Sequence, residues 1–88
     1  MKVFVCYSFN TNSRTGELLS TMTICAAKSY ETCRLSALAI LNGTKASFGY
    51  VLKKNDGDDL DIYGYGWYSI ITNGETDITF VIDEIDLV

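Results

Sequence analysis

Ser29-Tyr30-Glu31-Thr32-Cys33-Arg34-Leu35-Ser36-Ala37-Leu38-Ala39-Ile40-Leu41-Asn42-Gly43 is the one stretch of this 88-residue chain with helical periodicity. Tyr30, Cys33, Ala37, Ile40 and Leu41 recur at steps of three and four and fill an arc of about 100°, a core-facing stripe. Ser29 stands where an N-cap belongs, and Glu31 sits in the first turn, where the helix dipole favours an anion. Asn42-Gly43 offers a left-handed stop. Leu35 and Leu38 fall outside the stripe, beside Glu31. They either line the edge of the core or form a helix-side contact with a partner or a second copy.

Working outward, everything else reads as strand and turn. Residues 2–9 are β-branched and aromatic, residues 10–17 are a polar turn cluster, and residues 18–26 alternate as a second strand. A third strand is expected over 47–54, a turn at Asn55-Asp56-Gly57-Asp58-Asp59, and a fourth strand over about 61–72. Asn73-Gly74 is a strong hairpin dipeptide, and a fifth strand follows from Glu75 to about Glu84. The order β-β-α-β-β-β over residues 1–88 predicts a single α+β domain in two layers, with one helix on one face of an antiparallel sheet of about five strands. The first strand is free to pair with either the third or the fifth.

Composition excludes several functions. The chain has no histidine, which removes the commonest general base and metal ligand. Three cysteines, Cys6, Cys25 and Cys33, include no C-x-x-C pair, so they read as reduced, mostly buried small hydrophobes with neither a zinc site nor a disulfide framework. No apolar run approaches the ~20 residues of a membrane span. The N-terminal residues enter strand-like sequence directly, so a cytoplasmic protein is expected. Asn42-Gly43-Thr44 matches a glycosylation sequon but reads as a helix end in that compartment. A net charge of −4 argues against direct nucleic-acid binding. No nucleophile–base pair is evident, so neither enzymatic activity nor a cofactor is expected.

That net charge conceals a strong polarity. Residues 1–54 carry all seven basic side chains and two acids, whereas residues 55–88 carry nine acids and no base. In a meander whose far end is Asn73-Gly74, Asp56, Asp58, Asp59 and Asp61 approach Asp83, Glu84 and Asp86. Crowded carboxylates oppose folding unless something balances them. Solvent, a divalent cation or a basic partner surface could do so, although residues 55–61 lack the EF-hand spacing and its closing Glu. Acids two apart on a strand are about 6.6–6.8 Å apart, close to two phosphate rises of a nucleic-acid strand. An acidic sheet end therefore fits a groove built for phosphates. The fourth strand places Tyr63, Tyr65 and Trp67 on one face, opposite Gly64, Gly66 and Tyr68. Those three aromatics are either core or exposed anchors for the same partner.

The run from Thr23 to Ser29, continuing through Ala37 to Leu41, and the Asp- and Tyr-rich meander after it, resemble phage-encoded anti-CRISPR proteins over about half of the chain. That group shares no signature, so the resemblance assigns no individual residue a role. It implies a non-enzymatic inhibitor in the host cytoplasm that covers a Lys- and Arg-rich surface of a Cas effector complex. An immunity protein or antitoxin against a basic nuclease, and a small structural module dimerising through Leu35 and Leu38, are the competing expectations.

Overall fold

The computed structural model describes residues 1–55 and 67–86. Strand β1 (Lys2–Asn12) and strand β2 (Leu18–Ala27) form the first hairpin. Asn12 sets its turn: the side-chain oxygen accepts the backbone N–H of Arg14 at 2.9 Å and of Thr15 at 3.1 Å. Gly16 completes the turn at φ 75°, a region that glycine enters without steric cost.

Helix α1 (Tyr30–Phe48) starts where the sequence indicates. Ser29 is extended, and its hydroxyl oxygen accepts the Thr32 N–H at 3.2 Å. The helix does not stop at Asn42-Gly43 but runs on to Gly49, which has the left-handed φ of 70°. A glycine inside a helix costs only about 1 kcal/mol relative to alanine. Continuing adds backbone hydrogen bonds and places Lys45 in the last turn, where the dipole favours a cation. The expected third strand is shortened as a result, because residues 47 and 48 belong to the helix.

Strands β3 (Val51–Asn55), β4 (Trp67–Thr72) and β5 (Thr76–Asp86) complete the sheet. Asn73 builds the β4–β5 turn, its side-chain oxygen accepting the N–H groups of Glu75 and Thr76 at 2.9 and 2.8 Å. The strand order is β2-β1-β5-β4-β3, antiparallel throughout, so β1 pairs with β5. The part of the expected fourth strand before Trp67 lies outside the described residues. The fold is the expected two-layer α+β arrangement.

The helix covers one sheet face. Cys33, Ala37 and Leu41 pack on Cys6 of β1, Ile71 of β4, and Phe80 and Ile82 of β5. Phe4 and Tyr30 add an edge-to-face ring pair with centroids 5.8 Å apart. Ile40, expected in the buried stripe, is 40% exposed because it sits at the margin of that arc. Leu38 packs against the core, whereas Leu35 on the outer helix face is exposed.

The two helix glycines give a paired test. A Cβ at either position meets no atom within 4 Å, and only Gly49 has a positive φ. Gly43→Ala is expected to stabilise the fold by about 0.5–1 kcal/mol, and Gly49→Ala to destabilise it by about 1–2 kcal/mol. Urea denaturation reads both, and a helix that ended at Gly43 would reverse the signs.

Candidate functional site

Strand β5 buries three consecutive side chains, Phe80, Val81 and Ile82, and beyond that point it is acidic. Its register on β1 sets Asp83 opposite Val5, Glu84 opposite Phe4 and Asp86 opposite Lys2. Glu84 and Asp86 share the helix side of the sheet, and Asp83 faces the other way. Asn55, the last residue of β3, pairs with Ser69, while Trp67, the first of β4, pairs with Ile82. Both ends of the stretch between β3 and β4 therefore emerge at the end of the sheet where Asp83, Glu84 and Asp86 lie. Asp56, Asp58, Asp59, Asp61, Tyr63 and Tyr65 fall in that stretch, outside the described residues.

Two of the described acids at this end, Glu84 and Asp86, have ion-pair partners within the chain. Lys2 Nζ lies 3.1 Å from Glu84 Oε1, and the Met1 amino nitrogen lies 3.7 Å from Asp86 Oδ1. Lys28 follows Ala27, which pairs with Phe4 at the same end. Among the described residues, Glu84 and Asp86 are thus each matched by a cation. The two ion pairs are exposed, and such pairs are worth about 0–1 kcal/mol each and weaken with salt.

A fourth β5 acid behaves differently, and sequence reading did not single it out. Asp77 is buried, and its Oδ2 accepts a 2.6 Å bond from Lys53 Nζ, which reaches across β4. Among the described residues, its buried Oδ1 has no hydrogen-bond partner. Burial pushes the Asp77 carboxyl up, but the Lys53 hydrogen bond, a Thr72 hydrogen bond and the Lys53 charge outweigh it and hold the group below the usual carboxylate value. No local motif announces the pair, because it depends on the order of three strands.

The cysteines converge beneath the helix. Cys6 and Cys25 are register partners across β1 and β2, and Cys25 Sγ lies 3.8 Å from Cys33 Sγ and 3.6 Å from the Cys33 carbonyl oxygen. All three are free; Cys6 and Cys33 are buried and Cys25 is half-buried. Burial first, then the neighbouring Cys25 and Cys33, pushes the Cys6 thiol up to about 12. Burial and the hydrogen bond from Cys25 push the Cys33 thiol up to about 12 as well. Thiols in that state are poor nucleophiles at neutral pH. Among the described residues, no group of three or more His, Cys, Asp and Glu side chains is placed to hold a metal ion, and no helix is long and apolar enough to cross a membrane. An open polar pocket at the opposite end of the sheet is lined by Asn12, Arg14 and Glu75.

Comparison with protein-family models, curated proteins and solved structures finds no match to this chain.

Two outcomes test these placements. Because the folded-state Asp77 pKa lies below its unfolded value, the pair stabilises fully above the unfolded pKa of about 3.9, and that stability is lost as pH falls through the folded value. Lys53→Met leaves burial unopposed: stability at pH 7 is expected to fall by about 1–3 kcal/mol, and the deficit relative to the parent chain should shrink on acidification. Urea titrations at neutral and acidic pH measure this, and a pH-independent deficit contradicts it. Separately, a thiol-alkylating reagent at neutral pH should label at most Cys25 in the native protein and all three cysteines in denaturant. Intact-mass spectrometry reads the count, and rapid native labelling of Cys6 or Cys33 contradicts the packing.

Proposed function

We propose that this chain is a non-enzymatic inhibitor whose acidic end docks on a Lys- and Arg-rich protein surface that otherwise holds nucleic acid. The supporting observation is the return of both ends of the acidic 56–66 stretch to the edge where β5 presents Asp83, Glu84 and Asp86. The internal partners of Glu84 and Asp86 are a flexible lysine and an amino group in exposed pairs. A partner's arginine, with its planar fork of donors, displaces such contacts at little cost. Carboxylates on one pole also steer a basic partner from a distance, which sets the association rate more than the final affinity. In this reading Tyr63, Tyr65 and Trp67 are the aromatic anchors for desolvated contact, and Trp67 begins β4 opposite Ile82.

The target class follows from the resemblance of the sequence to anti-CRISPR proteins: a Cas effector subunit, with the chain occupying the channel for DNA or guide RNA. The test is affinity capture from a CRISPR-bearing host, with mass spectrometry of the bound subunits and association kinetics on the purified complex. The association rate is expected to fall steeply with salt, and excess DNA should compete. Asp58→Lys/Asp59→Lys should slow association about tenfold or more at low salt. Unchanged kinetics would reject the acidic docking surface, and capture of a single small nuclease would replace the Cas target with a toxin.

A further inference from the structure

The two margins of the sheet are built differently. Strand β3 is a five-residue edge, Val51–Asn55, that includes Lys53 and Lys54. Lysine on an edge strand is a standard guard against pairing with another chain. Strand β2 is the opposite edge and has no such guard. It is ten residues long, Leu-Leu-Ser-Thr-Met-Thr-Ile-Cys-Ala-Ala, with no charged residue and no proline. The helix covers only its later part, where Ile24, Cys25 and Ala27 pack against the core. Its earlier part stands clear, with Leu18 57%, Leu19 53% and Met22 62% exposed. An antiparallel edge strand presents unpaired N–H and C=O groups along its outer side.

We infer that β2 is a self-association edge, at which a second copy of this chain pairs β2 to β2, antiparallel, to form a continuous ten-stranded sheet. Charge complementarity selects this occupant. The uncharged strand is bracketed by Glu17 at its start and Lys28 just after its end. Antiparallel pairing about a two-fold axis brings Glu17 of each copy beside Lys28 of the other, and no like charges meet along the seam. The register shifts on β1 leave Ile24 and Leu19 as bulged positions, with a regular run from Ser20 to Thr23 between them. The axis passes through that run at Met22. Thr21 of each copy then faces Thr23 of the other, a favourable cross-strand combination. An axis normal to the sheet keeps both helices on one face and points the two acidic ends in opposite directions, so this interface is independent of the proposed inhibitory surface.

Sedimentation equilibrium of the full chain tests the inference, with circular dichroism confirming that each variant is folded. The parent chain should dimerise in the micromolar range. Met22→Lys, which brings two lysines together at the axis, should raise the dissociation constant by tenfold or more. Glu17→Lys alone should weaken the dimer, and Glu17→Lys/Lys28→Glu should restore it, because the swapped charges again meet opposite signs. A chain that stays monomeric up to about 1 mM overturns the inference, as does a dimer insensitive to Met22→Lys. So does failure of the charge-swapped variant to recover. A dimer abolished by Leu35→Lys but not by Met22→Lys transfers the interface to the helix, and a monomer that pairs this edge with an extended segment of another protein replaces the second copy; both overturn it.

Discussion

The ladder between β1 and β5 is the contact on which the rest of the structure depends. Eleven residue pairs run without a register shift from Lys2 opposite Asp86 to Asn12 opposite Thr76. It joins the first and last strands at the centre of the sheet, with the hairpin partners β2 and β4 on its flanks. Cys6 and Ile82 face the helix from directly opposed positions on this ladder, as do Ser8 and Phe80, so the core exists only when the ladder is closed. Its sequence separation is nearly the whole chain, and pairing of that kind is slow to form because loop-closure entropy is lost before contacts reward it. The two local hairpins assist: Ser13 at the β1–β2 turn donates its N–H to the Glu75 carbonyl at 2.9 Å and its hydroxyl to the Gly74 carbonyl at 2.8 Å. The two turns thereby lock together at the far end of the same ladder.

Local signals in the sequence were sufficient for the elements and insufficient for their arrangement. Ser29 marked the helix start because an N-cap is a property of one side chain and the N–H groups three residues on. Asn73-Gly74 marked its hairpin for the same reason. Asn42-Gly43 misled because a stop signal acts only if ending the helix there is better than continuing. Thr44 shows the balance: its hydroxyl donates to the Ile40 carbonyl at 2.9 Å, a bond available only if the helix goes on. Strand order was undetermined because the alternation in β1 fits either neighbour, and only the packing of all five strands decides between them.

The charge polarity of the chain was legible at once, as composition requires no geometry. Its local balance was not. Lys2 and Glu84 are 82 positions apart in sequence and 3.1 Å apart in the fold. The same ladder that gathers the acids of β5 at one end also delivers the N-terminal cations to them, so part of the pole is neutral by construction. Lys53 and Asp77 carry the point further. Lys53 lies just before the acidic turn in sequence, but a register shift between Leu52 and Lys54 lets its side chain cross β4 to a carboxylate buried near the opposite end of β5. The cysteines were the easier case, since thiols without ligand spacing pack as hydrophobes wherever the topology puts them.

These distributions make the sheet asymmetric in two directions. Along the strands, one end gathers carboxylates and the other holds interlocked turns. Across the strands, one margin has lysines and the other none. Lysine at β3 discourages strand pairing on that side while its charge is partly spent on Asp77, so one residue serves both the interior and the edge. At β2 the same protection is missing, yet Glu17 and Lys28 bracket the strand with opposite signs. Bare hydrophobic edges invite indiscriminate pairing, whereas an uncharged edge with charged ends of opposite sign favours one orientation over the other, because parallel self-pairing would set like charges together at both ends. The charges absent from β2 itself are thus placed where they select a partner's direction without obstructing its backbone.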